Sequence, residues 1–254
     1  MRLPWVIAHR GASGYAPENT FAAFRRAMEL GAGFIETDLH LTRDARFVAI
    51  HDTTLERTTN GRGAVRDATL AELRQLDAGQ WYDREFAGER IPTLEDILVF
   101  SRENDLVFYL EIKYDTAWGL HHALVAAIHN AQNTARTIVI SFDPRTIAAV
   151  RQLDASVMVG LLVDADGPDA AGGPAIIKSA TEAGARQLCL NSRLLTPEII
   201  RQAHESDLHV VGWTLNEAEE MRAAIRAGVD GVMTDVPDRL RGLLEPNPFQ
   251  LKEF

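Results

Sequence analysis

The sequence contains little cysteine and little lysine, and both shortages limit the functional roles that these residue types can have. Cys189 is the one cysteine among 254 residues, so the chain cannot form an internal disulfide. It lies in an apolar segment, 187–191, that is typical of a buried strand, and we expect it to pack in the core. Three of the 26 basic residues are lysines, and one of them, Lys113, follows a predicted strand. We therefore treat Lys113 as a candidate functional residue.

Long apolar runs and an excess of positive charge are also missing. No window approaches the ~20 apolar residues of a transmembrane helix, and the first residues lack the apolar stretch of an export signal. We therefore expect a cytoplasmic protein without stable membrane association. Acidic residues outnumber basic ones by 36 to 26, and the formal net charge is -10. Because nucleic acids and anionic lipids attract clustered lysine and arginine, this charge disfavours both and favours a small-molecule partner.

What the sequence does contain is a regular alternation of short apolar segments with helical patterns. At 46% hydrophobic content, the chain can build one sizeable core. The apolar segments predict strands at 5–9, 34–41, 47–51, 106–112, 137–141, 158–163, 187–191, 208–213 and 231–234. The remaining patterns predict helices at 20–30, 94–103, 118–132, 144–153, 175–183, 197–206, 216–227 and 237–243. This alternation predicts an α/β fold, a (β/α)8 barrel with one strand in excess.

The excess strand can be placed from the length of a connection. Five residues separate the segments 34–41 and 47–51, which is too few for a parallel crossover. These two strands must therefore form an antiparallel hairpin. The hairpin would place Asp38 roughly opposite His51, at the same end of the barrel.

The segment after this hairpin interrupts the alternation. Residues 53–92 are rich in glycine and contain a single helical window, 70–76. This pattern predicts an insertion packed over one end of the barrel. We expect residues 1–254 to form one domain that includes this insertion. The tail after Leu244 is rich in turn-forming residues and is expected on the surface.

The first strand ends on polar residues that can carry chemistry. An apolar run leads into His9 and Arg10, and two nearby glycines relax the backbone there. We predict Asn19 as the cap of the helix at 20–30. Enzymes with α/β folds build their active sites at such carboxyl ends of strands.

Three acidic residues lie on two other strands. Glu36 and Asp38 are two positions apart and therefore share one face of their strand, and Glu111 and Lys113 repeat this spacing. Converging carboxylates repel unless a cation lies between them. Their oxygen atoms suit Mg²⁺ or Ca²⁺ better than zinc, and the sequence does not distinguish these two ions. The alternative for Glu36 and Asp38 is a solvent-exposed strand face with salt bridges.

Two histidines are placed at strand ends. His9 and His51 each precede a charged residue, which puts two imidazoles of near-neutral pKa beside the proposed cation. A single histidine at a strand end is more often structural, but two beside a carboxylate cluster favour acid–base catalysis. We assign surface or packing roles to the other six: His40, His121, His122, His129, His204 and His209.

Cationic and aromatic residues complete the candidate site. Arg10 can hold a phosphate through its planar guanidinium and Lys113 as a point charge, although Lys113 could instead only neutralise Glu111. Trp213 ends a predicted strand and could form an apolar wall for a glycerol or alcohol group. A core role for Trp213 is the alternative. Phe142, just after another predicted strand, is a second candidate for this wall.

Taken in order, these motifs resemble the glycerophosphodiester phosphodiesterase family over essentially the whole chain. The matching segments are His9-Arg10-Gly11, Pro17-Glu18-Asn19-Thr20, Glu36-Thr37-Asp38, His51-Asp52, Arg57-Thr58-Thr59-Asn60-Gly61, Ile91-Pro92-Thr93-Leu94, Glu111-Ile112-Lys113, Trp213-Thr214 and Thr234-Asp235. The resemblance implies a TIM-like barrel with a small inserted subdomain. It also implies hydrolysis of glycerophosphodiesters to glycerol 3-phosphate and an alcohol, within lipid and glycerol metabolism.

The resemblance also implies roles for individual residues. These roles are divalent-cation ligands for Glu36, Asp38 and Glu111, an acid–base pair for His9 and His51, and phosphate contacts for Arg10 and Lys113. Our preferred assignment makes His9 the base and His51 the acid, and the reverse assignment stays open. So does the choice between water and the glycerol 2-hydroxyl as the nucleophile.

Two other functions fit parts of the pattern. A related barrel phosphodiesterase acting on lysophospholipids or phosphoinositides would need an apolar or basic rim, which we do not find in the sequence. A catalytically silent binding protein would be expected to lack a histidine or a carboxylate, and this chain keeps all of them. The sequence does not fix the preferred alcohol, or whether the chain is a monomer or a homodimer.

Overall fold

The computed structural model of the protein describes residues 3–113, 120–167 and 172–244. Its strands are β1 (Trp5–Ala8), β2 (Phe34–Leu41), β3 (Phe47–Ala49), β4 (Val107–Ile112), β5 (Thr137–Ser141), β6 (Met158–Val163), β7 (Gln187–Asn191), β8 (His209–Trp213) and β9 (Gly231–Thr234). Every predicted strand is present, and none differs from its predicted bounds by more than two residues at either end.

Helices follow most of these strands. They are α1 (Phe21–Glu29), α2 (Leu70–Leu73), α3 (Leu94–Glu103), α4 (Leu120–Asn130), α5 (Pro144–Leu153), α6 (Gly173–Glu182), α7 (Pro197–Glu205), α8 (Ala218–Ala227) and α9 (Pro237–Leu244). None of the helices in the described ranges is both long and apolar enough to cross a bilayer. The first two residues of the predicted helix 118–132 and the predicted surface tail after Leu244 lie outside the described residues.

Eight strands form a closed parallel ring. The order around the ring is β1, β2, β4, β5, β6, β7, β8 and β9, and β9 pairs again with β1. This closed ring with helices between its strands confirms the predicted (β/α)8 barrel. Because all eight strands are parallel, their carboxyl ends meet at one face, and residues that follow different strands are brought together there.

The excess strand β3 lies outside the ring. It pairs antiparallel with β2, with Leu39 opposite Ala49, and the Ile50 N–H donates to the Asp38 carbonyl oxygen at 3.1 Å. Asp38 therefore lies opposite Ile50, one residue from the predicted position opposite His51. The hairpin returns the chain toward the level of Asp38, where His51 begins the long connection to α3.

The start of α1 differs from the prediction. Thr20 is the N-cap, and its side-chain oxygen accepts a hydrogen bond from the Ala23 N–H. Asn19, the predicted cap, has a φ of 57°, and its side-chain amide donates to Asp38 instead. The prediction of Asn19 as the cap is therefore wrong, because its side chain hydrogen-bonds to a buried carboxylate of β2 and not to the helix.

Hydrophobic side chains form one layer outside the ring of strands and another inside it. The outer layer, between strands and helices, includes Phe24, Leu94 and Phe108. The barrel interior is filled by Ile7, Tyr109, Ile138, Ile140, Leu162, Cys189, Val211 and Met233. Cys189 is 0% exposed, as its strand pattern predicted, and burial raises the pKa of its thiol. The interior is thus a packed core beneath an open mouth.

The long connection after β3 has its own small core. Buried side chains from β3 and this connection form a separate cluster of Val48, Ile50, Leu55, Val65, Leu70, Leu73, Ala78 and Ile91. Within residues 53–92, the regular elements are α2 and two single-turn 3-10 helices at 65–67 and 84–86. Thr53 and Thr54, at the start of this segment, line the cavity at the barrel mouth.

Candidate active site

A cavity of about 550 Å³ opens at the carboxyl ends of the barrel strands. The sequence indicated nine site residues, and eight of them line this cavity. They are His9, Arg10, Glu36, His51, Glu111, Lys113, Phe142 and Trp213. The ninth, Asp38, is fully buried and contacts Lys113. Folding therefore gathers all nine residues at one end of the barrel, although they come from distant segments.

Strands β2 and β4 bring three carboxyl groups together. Glu36 and Asp38 project from the same face of β2, and the strand register pairs Asp38 with Glu111 of β4. One oxygen atom from each residue lies within 4.8 Å of the other two, and all three residues are buried. Three converging, buried oxygen ligands fit a divalent cation.

Burial and mutual repulsion shift the titration of these carboxyl groups. Burial raises the pKa of Glu36 well above its usual value, and the neighbouring charges of Asp38 and Glu111 add to this effect. Burial, together with the charge of Asp38, raises the pKa of Glu111 to about 7. Burial would also raise the pKa of Asp38, but the Lys113 and Arg10 cations outweigh it and hold that pKa well below its usual value.

The Glu36 side chain gives an independent indication that a cation fits here. Its Oε1 atom is buried, and no group within the described ranges hydrogen-bonds to it. A buried carboxylate oxygen without a partner is costly, and a bound cation would remove that cost. The donor set of carboxylate oxygens suits Mg²⁺ or Ca²⁺.

Two positively charged side chains lie beside the carboxyl cluster. The Lys113 Nζ is 2.6 Å from Glu111 Oε1 and 3.0 Å from Asp38 Oδ1. The Arg10 Nε is 3.3 Å from Asp38 Oδ2, and the Arg10 backbone N–H donates to Glu36 Oε2 at 2.9 Å. Arg10 has a left-handed φ of 57°, which aims this N–H at the cluster. Lys113 therefore neutralises two carboxylates and also lines the cavity, so both of the interpretations made from the sequence are compatible with its position.

His9 is held by an aspartate that directly follows the last strand. Its Nδ1 lies 2.7 Å from Asp235 Oδ1, and its Nε2 lies 3.9 Å from Glu36 Oε2. Ser13 and Asn216 also donate to the Asp235 carboxylate, at 2.9 and 2.6 Å. Burial would raise the pKa of Asp235, but these hydrogen bonds, with that of His9 the strongest, lower it to about 2. The Nδ1 contact orients the imidazole and leaves Nε2 for the cavity.

His51 has a similar partner in a different charge environment. Its Nδ1 lies 2.8 Å from Asp52 Oδ1, and Arg57 donates to both oxygens of Asp52, at 2.7 and 2.9 Å. Arg57 also donates to both oxygens of Glu18 at 2.8 Å, and Glu18 accepts from Arg10 at 3.0 Å. Burial and the charge of Arg10 lower the pKa of His51. This chain of ion pairs links His51 to Arg10, the residue that follows His9.

Four supporting residues, Asp52, Arg57, Glu18 and Asp235, were not predicted as site residues. All four lie within the motifs recognised in the sequence, yet nothing in one sequence showed which charges pair. For Asp52, its position directly after His51 was an available signal. The other three depend on contacts between distant segments, which only the folded chain defines.

Two more residues have contacts that the sequence did not suggest. The Asn19 amide donates to Asp38 Oδ2 at 2.8 Å, and its Oδ1 accepts from the Thr37 hydroxyl. His40, assigned to a surface or packing role, lines the cavity, and its Nε2 lies 3.0 Å from the His51 carbonyl oxygen. Asn19 thus fixes a carboxylate of the cluster, and His40 braces the backbone of a candidate catalytic residue.

The aromatic candidates lie together on the opposite wall of the cavity. The Phe142 and Trp213 rings are 5.7 Å apart and nearly perpendicular, at 84°. The Trp213 Nε1 donates to the Cys189 carbonyl oxygen at 2.9 Å, which fixes the indole. Both side chains are partly exposed and line the cavity, so they form an apolar corner that a ligand can reach.

Comparison with known proteins agrees with this geometry. The chain is 39% identical over 242 residues to a glycerophosphodiester phosphodiesterase of Caldanaerobacter subterraneus subsp. tengcongensis, which covers 94% of this chain and 97% of that one. It is 32% identical over 250 residues to a glycerophosphodiester phosphodiesterase of Bacillus subtilis, covering 92% of this chain and 84% of the relative. An Oleispira antarctica phosphodiesterase, solved in complex with the product sn-glycerol-3-phosphate, matches with a TM-score of 0.85 and 28% identity. That alignment covers 96% of this chain and 98% of the other.

A family model gives the same result. Residues 9–239 match the model of the glycerophosphoryl diester phosphodiesterase family. This range contains all nine candidate site residues and nearly the whole barrel. By this match and by the sequence identities above, the chain belongs to the glycerophosphoryl diester phosphodiesterase family.

Proposed function

We propose that this enzyme hydrolyses glycerophosphodiesters to glycerol 3-phosphate and an alcohol, with a divalent cation and a histidine acid–base pair. One observation carries the proposal. Two imidazoles, each oriented through Nδ1 by an aspartate, line the same cavity as a buried cluster of three carboxyl groups. The Oleispira antarctica relative, solved with sn-glycerol-3-phosphate, supports this choice of product.

The carboxyl cluster would hold the cation. Glu36, Asp38 and Glu111 supply hard oxygen ligands, and either Mg²⁺ or Ca²⁺ suits them. When bound, such an ion polarises a non-bridging phosphate oxygen and offsets negative charge in the transition state. The unpartnered oxygen of Glu36 supports this assignment.

The two cationic side chains would bind the phosphate. Arg10 and Lys113 both line the cavity beside the cluster, and each has donors that can reach a bound anion. Glu18 accepts from Arg10 and also from Arg57, so it orients the guanidinium of Arg10. Positive groups fixed in advance stabilise charge that builds up when phosphorus is attacked.

The contacts of the two histidines differ in a way that suggests their roles. Asp235 is paired with His9, and no lysine or arginine in the described part of the chain forms an ion pair with it. Asp52 shares its charge between His51 and the Arg57 guanidinium. Burial lowers the pKa of His51, which favours its neutral form, so we assign His51 as the base and His9 as the acid. This is the reverse of the assignment preferred from the sequence.

In this scheme His51 removes the proton of the attacking hydroxyl, and His9 protonates the alkoxide of the leaving alcohol. The base can serve water directly or the 2-hydroxyl of glycerol, which would form a cyclic phosphate first. The segment 53–92 is proposed to be an insertion of the barrel domain that closes one side of the cavity through Thr53 and Thr54.

The test is release of glycerol 3-phosphate from glycerophosphocholine. The protein is assayed as purified, after exhaustive chelation, and after addition of Mg²⁺ or Ca²⁺. We expect activity to be lost with the chelator and restored by at least one cation, because the bound cation would polarise the phosphate and because Lys113 and Arg10 leave Glu36 Oε1 without a partner. Detection of a cyclic glycerophosphate during turnover would identify the 2-hydroxyl as the nucleophile.

Two variants sharpen this test. Glu36→Gln should abolish the restoration by cations, whereas Glu103→Gln, an exposed acid at the end of α3, should behave like the unmodified enzyme. Full activity in the metal-free protein would exclude the cation-dependent mechanism. Absence of glycerol 3-phosphate under every condition would exclude the proposed reaction.

A further inference from the structure

The side of the cavity across from the carboxyl cluster contains one acidic residue that the scheme above does not use. Asp164 follows β6 directly and lines the cavity with Phe142 and Trp213. The register of β6, β7 and β8 places Asp164 level with Asn191 and Trp213, because Val163 pairs with Leu190 and Asn191 pairs with Trp213. A carboxylate and two aromatic rings therefore lie at the ends of nearby strands.

The Asp164 carboxylate is held in place through one of its two oxygen atoms. The Asn191 amide donates to its Oδ1 at 3.0 Å. Arg193 approaches this oxygen only to 4.0 Å and lies 2.5 Å from Asp166 instead. Within the described ranges, no group donates to Asp164 Oδ2. The two aspartates and one arginine leave this rim of the cavity with net negative charge.

A carboxylate beside two aromatic faces suits one class of ligand. An ammonium group, whether quaternary or protonated, is attracted both by the negative faces of aromatic rings and by a nearby carboxylate. The perpendicular rings of Phe142 and Trp213 form two sides of a corner that such a group can enter. The hydrogen bond from Trp213 to the Cys189 carbonyl fixes this corner before a ligand arrives.

Building on the proposed reaction, we propose that Asp164, Phe142 and Trp213 form a subsite for a cationic leaving alcohol. The alcohol class is an aminoalcohol whose nitrogen is a quaternary or protonated ammonium. The glycerol moiety then lies toward the other wall, where the hydroxyl groups of Thr53 and Thr54 can meet its hydroxyl groups. This arrangement places the positive end of the substrate at the negative rim and its phosphate beside Arg10 and Lys113.

The experiment compares two esters that differ only in charge. Glycerophosphocholine is compared with the glycerophosphate ester of 3,3-dimethylbutanol, in which carbon replaces the choline nitrogen. We expect kcat/KM to be about tenfold higher for the choline ester, a preference within the range of cation–aromatic attraction. Asp164→Asn and Trp213→Leu should each bring the ratio of the two kcat/KM values close to one. The side chain of Asp164 is 43% exposed, so its substitution should leave the fold intact.

Asp143→Asn is the matched control. Asp143 directly follows Phe142, does not line the cavity and caps α5, and asparagine is an equally good cap. This variant should keep the preference for the choline ester. An equal kcat/KM for both esters in the unmodified enzyme would overturn the proposal. So would a loss in Asp164→Asn that is the same for both esters, because Asp164 would then support the site without recognising charge.

A binding measurement separates this proposal from the proposed reaction. Free choline is titrated onto the protein and followed by saturation-transfer NMR, with 3,3-dimethylbutanol as the uncharged reference. Choline binding that weakens in Asp164→Asn supports the subsite, even if neither ester is hydrolysed and the proposed reaction fails. Hydrolysis of both esters without selective choline binding would instead leave the reaction in place and exclude the subsite.

Discussion

The two sides of the barrel mouth are built on different principles. The charged side lies within or just after β1, β2 and β4 and contains His9, Arg10, Glu36, Glu111 and Lys113. The apolar side, which follows or ends β5, β6 and β8, presents Phe142 and Trp213 above Ile140 and Leu162, with Asp164 at the rim. Chemistry is thus concentrated on one side, and the shape of the ligand pocket is set by the other.

This difference also separates activity from stability. On the charged side, buried carboxyl groups and their partner cations cost desolvation, which their attraction offsets only in part. On the apolar side, close packing stabilises the barrel without exposing reactive groups. Substitutions on the charged side should therefore lower the activity far more than the stability, and substitutions in the apolar interior should do the reverse.

The largest effect is expected from the two histidines. His9→Ala and His51→Ala should each lower kcat by about 10²–10⁴-fold, the usual contribution of a general acid or base. Both histidines line the barrel mouth and lie outside its packed interior, so both variants should fold. His9→Ala also loses the ion pair with Asp235 and should lower the melting temperature more than His51→Ala. An ester with a p-nitrophenol leaving group needs no protonation, and it should restore the rate of His9→Ala but not that of His51→Ala.

The control is His122→Ala, an exposed histidine on α4. It should retain full activity on both substrates. If the p-nitrophenol ester restores the rate of His51→Ala instead of that of His9→Ala, His51 is the acid and His9 is the base, as preferred from the sequence. Near-normal kcat in either variant with the natural substrate would remove that histidine from the mechanism.

Much of this charged side could be predicted because it depends on local rules. The two-residue spacing of Glu36 and Asp38 fixes a shared strand face, and the short loop before β3 forces a hairpin. The alternation of strands and helices fixed the barrel, and parallel strands bring their ends together. These features need only the chain's own periodicity and connection lengths.

The rest depends on which distant side chains meet. Asn19 looked like a helix cap from its position, but Thr20 takes that place and frees Asn19 for Asp38. The pairing of His9 with Asp235 joins residues 226 positions apart. Such long-range choices are made by the packing of the whole barrel, so one sequence without its fold does not reveal them.

An intermediate effect is expected from the aspartate that holds His9. The pKa of Asp235 is lowered to about 2, so its charged form is favoured in the folded protein. The stability it contributes is complete above the pKa of the unfolded chain, about 4, and is lost as the pH falls toward 2. Asp235→Asn should therefore lower the free energy of unfolding by about 2 kcal/mol at pH 5 and by much less near pH 2.

Urea unfolding at several pH values measures this difference. Asp105→Asn, on an 85% exposed side chain, controls for the substitution itself. The free energies of unfolding of the unmodified protein and of Asp235→Asn are compared from pH 5 to pH 2. If their difference stays constant, the charge of Asp235 does not contribute to stability. In that case the packing of the side chain, rather than its ion pair with His9, would hold the last strand to the first.

The smallest effect tests the apolar side from within its core. Ile138 lies in the barrel interior, two residues before Ile140 of the cavity wall. Ile138→Val removes one methylene and should lower the free energy of unfolding by about 1 kcal/mol, because the surrounding side chains cannot fully close the space. The value of kcat/KM should stay within about twofold, since a buried aliphatic group contributes nothing to the charge or geometry of the histidines. A loss of activity larger than the loss of stability would show that the interior positions the charged side, and the separation between the two sides would then fail.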